Sequence, residues 1–129
     1  MNQEQLIVAN SMAEELGVST RTLRHFCDSG YIPHIKRNHK YQRILTQEQF
    51  KLLTILVRMR QTGFSKAEIK RYAKLARLGK ATEPERLAIL TTKKHQLQQE
   101  IKDRQTAIDF IERQEEIYQD NIDNNTNKC

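Results

Sequence analysis

The sequence predicts a mainly α-helical protein: a helix-turn-helix head with a small β-hairpin wing, then one long C-terminal helix that forms an antiparallel coiled-coil dimer. Three observations predict it. The four glycines each fall where an amphipathic run should stop. Three runs open with Thr or Ser followed three residues later by Gln or Glu, the pattern of a capping box. An a/d heptad fills the last third of the chain without a slip.

Residues 10–16 form a first short helix that Gly17 ends, and residues 20–29 form a second that Gly30 ends. The stretch YIPHIKRNHKYQRIL, residues 31–45, has no helical period. Ile35 and Ile44 flank its polar tip, which reads as a β-hairpin. A third helix over residues 47–62 starts at the Thr46–Gln49 box. It carries Phe50, Leu52, Leu53, Ile55, Leu56, Val57 and Met59, apolar nearly all round, so it should lie at the centre. A fourth, residues 66–78, starts at the Ser65–Glu68 box and should bury Ile69, Tyr72, Ala73 and Ala76. Thr82 and Glu85 are spaced as a third box, with Pro84 in the first turn of the last helix.

In that last helix Leu87, Leu90, Lys94, Leu97, Ile101, Arg104, Ile108, Ile111, Glu115, Tyr118 and Ile122 alternate by three and four. The dimer interface expected from them is Leu87, Leu90, Leu97, Ile101, Ile108, Ile111 and Tyr118. A parallel pair in register would set Lys94 on Lys94 and Arg104 on Arg104, burying like charges. An antiparallel pair centred near residues 101–104 sets Lys94 opposite Ile111, where its stem can pack. The expected divisions are residues 1–80 for the head, 81–119 for the dimer helix, and 120–129 for a polar, Asn-rich, disordered tail.

Charge is split along the chain. Residues 1–80 hold fifteen Lys/Arg against six Asp/Glu, and residues 81–129 hold seven against ten. A basic head with an acidic tail points to a polyanion, most often nucleic acid. Two cysteines, Cys27 and Cys129, make neither a disulfide framework nor a zinc site. Cys27 falls on an apolar helix face and reads as a buried structural thiol, while Cys129 is the last residue. No apolar run can span a bilayer and no signal-peptide pattern opens the chain, so the expected location is the cytoplasm. No cofactor and no metal are expected.

The function lies in GVSTRTLRHFCDSGYIP, residues 17–33. Leu23, Phe26 and Cys27 share one helix face; Arg21, Arg24, His25 and Asp28 share the opposite one. A recognition helix needs this division, with one face anchored in the head and the other in the DNA major groove. The Arg fork can bond a guanine edge or two phosphate oxygens. Ser19 and Thr20, at the helix start, can bond phosphates beside free backbone N–H groups. The hairpin adds Lys36, Arg37, Lys40, Tyr41 and Arg43, and the fourth helix adds Lys66, Lys70 and Arg71, as grips on phosphates further out.

On these residues the chain resembles the mercury-resistance regulator (MerR) family of winged-helix transcription regulators. The carrying stretches are AEELGVSTRTLRHF, SGYIP, Arg37, RILT and RMRQTGFSKAEIK, then the long helix, from about residue 6 to 118. The segment LGKATEPERLAILTTKKHQLQQEI is similar to short members that lack a separate effector domain. The resemblance implies a homodimer that bends and untwists double-stranded promoter DNA, in response to stress or a small effector, so that RNA polymerase can engage. It also implies that the family's Gly-Tyr-Arg in the wing is Tyr41-Gln42-Arg43 here. Arg58 stands where thiol-sensing members tend to carry cysteine, and metal-sensing cysteine pairs are missing. A pocket near Tyr72 and the start of the last helix is the expected place for an effector. The alternative is an architectural DNA-bending protein such as a recombination directionality factor, whose heads rarely carry a long dimer helix. No constellation of catalytic groups points to an enzyme.

Overall fold

A computed structural model describes residues 7–127. The chain starts with strand β1 (Ile7–Val8), a 3₁₀ turn (Ala9–Met12) and helix α1 (Ala13–Leu16). Helix α2 (Thr20–Asp28) leads to the hairpin strands β2 (Lys36–Arg37) and β3 (Arg43–Leu45). Helices α3 (Gln47–Gln61) and α4 (Lys66–Arg77) follow, then a second 3₁₀ turn (Lys80–Thr82) and helix α5 (Glu83–Asn127).

The wing is wider than the hairpin expected from its sequence. Both β1 and β2 pair antiparallel with β3, giving the order β1-β3-β2. Ile7 pairs with Leu45 and Val8 with Ile44 on one side; Lys36 pairs with Ile44 and Arg37 with Arg43 on the other. Two β-branched residues are too short a signal to mark β1 alone, and the ladder offered by β3 fixes it. The first helix is shorter than residues 10–16, because its opening turn is 3₁₀.

One core joins these elements. Leu23 and Phe26 of α2, Leu45 of β3, and Leu53, Leu56 and Val57 of α3 are fully buried. Ile69, Tyr72 and Ala73 of α4 close it from the far side. Each large apolar side chain buried here adds roughly 1.5–3 kcal/mol. Of the seven apolar residues expected to bury α3, Leu53, Leu56, Val57 and Met59 are inside, Phe50 and Leu52 are half-buried, and Ile55 is 39% exposed.

Two of the three expected capping boxes form. The Thr46 hydroxyl accepts from Gln49 N at 3.1 Å and Gln49 Oε1 accepts from Thr46 N at 2.9 Å. Ser65 and Glu68 do the same at 3.1 and 2.8 Å. Thr82 does not make the third. It is buried in the 3₁₀ turn, and its hydroxyl points backward to the carbonyls of Leu75 (2.6 Å) and Gly79 (2.8 Å). Arg86 locks the same turn, giving Nε to Thr82 Oγ1 at 3.1 Å and Nη2 to the Gly79 carbonyl at 3.0 Å.

That lock carries the head past residue 80. The chain divides into two compact units, one ending at Ile89 and one beginning at Leu90. The second unit is helical throughout its described residues. Composition suggests disorder from residue 120, but α5 continues to Asn127; residues 128 and 129 lie outside the described residues. Extending a formed helix costs far less than starting one. Side-chain pairs four residues apart also support it, with Gln99, Gln105 and Gln119 donating to Asp103, Asp109 and Asp123. No described helix is long and apolar enough to cross a membrane.

Candidate nucleic-acid interface

Helix α2 is set by the turn before it. Gly17 sits at φ +72°, a left-handed conformation that an L side chain adopts only with strain. Gln61 of α3 reaches across to donate Nε2 to the Leu16 carbonyl at 2.9 Å, satisfying the last turn of α1. Ser19 then caps α2: its Oγ accepts from Thr22 N at 3.1 Å and donates to Thr22 Oγ1 at 3.0 Å. The cap occupies the hydroxyl that sequence reasoning offered to phosphate.

The two faces of α2 divide as expected. Leu23, Phe26 and Cys27 are buried; Thr20, Arg21, Arg24, His25 and Asp28 are exposed. Arg24 leans back through Nε on the Thr20 carbonyl at 3.4 Å, a long contact that does not use its Nη atoms. Burial pushes the Cys27 thiol up, and Arg43 only partly offsets this. The thiol therefore stays protonated and is a poor nucleophile. Cys129 is outside the described residues.

The last residue of α2 braces the wing. Arg43 donates Nε and Nη2 to the two carboxylate oxygens of Asp28 at 2.8 and 2.6 Å, a bidentate pair across fifteen residues. These bonds hold the Asp28 carboxyl below the usual carboxylate range and raise Arg43 in turn. The Arg43 side chain is 14% exposed. Arg43 is thus held against Asp28 in this structure, whereas the basic hairpin suggests an outward phosphate grip.

Asn38 organises the wing tip. Its Oδ1 accepts from the backbone N–H groups of Lys40 (2.9 Å) and Gln42 (3.0 Å), and its Nδ2 donates to Gln42 Oε1 at 3.0 Å. Arg37 donates Nη1 to the Tyr41 carbonyl at 2.8 Å. Within this frame Tyr41 stands at φ +61°, in the left-handed region, with 80% of its surface exposed. That is the position where the family resemblance sets a glycine. The sequence places Asp28 on the outward face of α2 but does not mark its pairing with Arg43, and it leaves Asn38 out, though the local bonding habit of Asn in turns was available as a signal.

The structure brings α2 and the hairpin together through the Asp28–Arg43 pair. Lys36, Arg37 and Lys40 are exposed on the hairpin, and Arg37 and Arg24 both lie within electrostatic reach of Asp28. Lys66, Lys70 and Arg71 are exposed on α4, which packs on α3, itself packed on α2. They stand one helix removed from the recognition face.

The comparisons with known proteins agree with this geometry. Residues 9–75 match the family described as MerR HTH family regulatory protein, and residues 50–113 match that described as MerR, DNA binding. A relative from Haemophilus influenzae, an uncharacterized HTH-type transcriptional regulator, is 29% identical over 83% of this chain and 79% of its own. Among solved structures, HiNmlR, a MerR family regulator lacking the sensor domain and bound to promoter DNA, superposes with a TM-score of 0.67 at 27% identity, covering 81% of this chain and 80% of that one. A putative MerR family regulator from Listeria monocytogenes gives 0.65 at 27% identity, over 92% and 98%. A MerR family regulator from Bacillus thuringiensis gives 0.69 at 22% identity, over 85% and 96%, and shares the fold. A winged helix-turn-helix head of this build, matched over most of the chain, places this protein in the MerR family of DNA-binding transcriptional regulators.

Proposed function

We propose that this protein acts as a homodimer that bends and untwists a near-palindromic promoter site in response to stress or a small effector. RNA polymerase is the partner that then engages the reshaped promoter. The observation that carries the reading is the braced basic face: Arg21, Arg24 and His25 exposed on a helix whose other side is core, pinned to the wing by Asp28 and Arg43. A dimer presents two such faces, and DNA half-sites one helical turn apart meet both. The heptad of α5 supplies the pairing, through Leu87, Leu90, Leu97, Ile101, Ile108, Ile111 and Tyr118, all of them exposed in the single chain. HiNmlR, a family member lacking the sensor domain, is bound to promoter DNA, and the same target class is proposed here.

Within the interface, Arg21, Arg24 and His25 read base edges or the nearest phosphates. Arg37, Lys40 and Tyr41 on the wing, with Lys66, Lys70 and Arg71, grip the backbone, and Ser19 and Thr20 present the α2 N-terminus to it. A lost base contact costs roughly 1–3 kcal/mol and flattens preference at one position. A lost phosphate contact weakens all sequences alike and lowers the salt slope by about one. Titration of Arg24→Ala and Lys40→Ala against operator and scrambled duplexes at two salt concentrations tests the division. Arg24→Ala should lower the operator-to-scrambled ratio, and Lys40→Ala should weaken both while keeping it. Equal losses on both duplexes for Arg24→Ala would leave α2 as a backbone anchor. Footprints between the −35 and −10 elements would favour regulation over an architectural role.

A further inference from the structure

Between Gly17 and Thr46 the chain holds six Lys and Arg residues and a single carboxylate, Asp28. A surface that attracts a polyanion through its field gains nothing from a lone anion. Nor does Asp28 stand at the margin of that surface. Around α2, at about 100° per residue, it lies about 20° from Arg21, about 40° from Arg24 and about 60° from His25. The buried Leu23, Phe26 and Cys27 occupy the other side. Asp28 therefore sits in the middle of the outward stripe, about 10 Å along the helix axis from Arg21.

The pair with Arg43 does not hide this charge. The Asp28 side chain is 56% exposed and the Arg43 side chain only 14%, so the anion is the member that solvent meets. The bonds from Arg43 hold the Asp28 carboxyl below its usual range, which keeps it ionised. A phosphate that comes to this point meets a carboxylate rather than a guanidinium fork. Phosphate oxygens and an ionised carboxylate both only accept hydrogen bonds, so neither satisfies the other. The carboxylate also has acceptor capacity left. Its two oxygens offer about four lone-pair sites, and Arg43 Nε and Nη2 fill one on each oxygen. Arg24 and Arg37 are within electrostatic reach. Their printed bonds, however, go to the Thr20 and Tyr41 carbonyls.

The major groove decides what can use those sites. Guanine presents only acceptors there, and thymine an acceptor and a methyl group. Adenine presents an amino group with an acceptor nitrogen next to it, which a carboxylate repels. Cytosine presents its N4 amino group alone, a donor edge with no acceptor beside it. We infer that Asp28 is a specificity-determining residue, whose carboxylate accepts from a cytosine N4 amino group in each half-site and repels phosphate or an acceptor edge brought to the same place. This rests on the DNA-reading role proposed above for α2. Arg21 and Arg24 attract any duplex as well as the right one. Asp28 lowers the general attraction and spares the specific one, and selectivity gains from repulsion of wrong partners as well as from contacts to the right one.

Selection from a pool of random-sequence duplexes tests this in the full chain, for wild type and Asp28→Ala. Wild type should select a half-site with one position fixed as cytosine on one strand. Asp28→Ala should select the same half-site with that position flat. Titration of Asp28→Asn, which removes the charge, gives a second readout. It should bind the wild-type-selected duplex several-fold more weakly, having lost the brace and the charged acceptor. On a scrambled duplex it should bind about fivefold more tightly, the size of one like-charge contact across water. Its salt slope there should steepen by about one, as Arg43 becomes free to meet a phosphate. A purely structural brace gives the opposite pattern: a loosened wing that weakens both duplexes and leaves the selected sequence unchanged. That pattern would overturn the inference, as would a position that flattens in Asp28→Ala but is fixed as a base other than cytosine. If wild type selects no sequence at all, the reading role of α2 fails and the inference with it.

Discussion

The head and the far part of α5 solve the problem of apolar surface in opposite ways. The head folds Leu23, Phe26, Leu45, Leu53, Leu56 and Val57 into one closed core. From Leu90 onward, α5 leaves Leu97, Ile101, Ile108, Phe110, Ile111, Ile117 and Tyr118 38–68% exposed. Both regions are helical by pattern, yet only the head closes a core of its own. A single helix carrying that much exposed apolar surface fits the second copy proposed above. The difference teaches where to look for function: readout belongs to the closed unit, and assembly to the open one.

The comparison breaks most completely at the seam. Leu97→Asp with Ile101→Asp puts four charges into each dimer interface. It should give monomers in sedimentation that keep a folded head but bind operator poorly. The next largest effect is in the head. Phe26→Ala empties a site that is 2% exposed and should cost about 3–5 kcal/mol in denaturant unfolding, with loss of DNA binding through loss of fold.

How far the sequence could be read follows the same divide. Periodicity reports burial, so α3 and α4 were legible from their apolar positions, and glycines with capping boxes marked most ends. Sequence pattern was weak where long-range bonds decide. Thr82 looked like a cap but is turned backward by the Leu75 and Gly79 carbonyls. Arg43 looked like an outward cation but is drawn to Asp28, fifteen residues away. The strand β1 exists because β3 offers it a ladder. In the candidate site, the outward face of α2 was legible, whereas the brace and the Asn38 frame were not, since neither has a period.

The brace gives a smaller, sharper test. Asp28→Asn should cost below about 1 kcal/mol, as its carboxylate is 56% exposed, but should loosen the wing and weaken operator binding several-fold. Because Arg43 holds the Asp28 carboxyl below its usual range, the pair contributes fully at neutral pH. Its contribution fades only as pH falls below about 3.9, toward and through the lowered value. Unfolding midpoints of wild type and Asp28→Asn should therefore differ at pH 7 and converge in acid. The smallest effect is at the wing tip. Tyr41→Gly relieves a left-handed side chain and should stabilise the head by about 1 kcal/mol, while weakening DNA binding if Tyr41 touches the backbone.

Sedimentation equilibrium of the wild-type chain at micromolar concentration tests the central claim most directly, because everything proposed for the open region requires a second copy. The account predicts a stable dimer across that range, at twice the 15.2 kDa of the chain. A monomer there would contradict it, and would mean that the exposed seam of α5 serves some other partner.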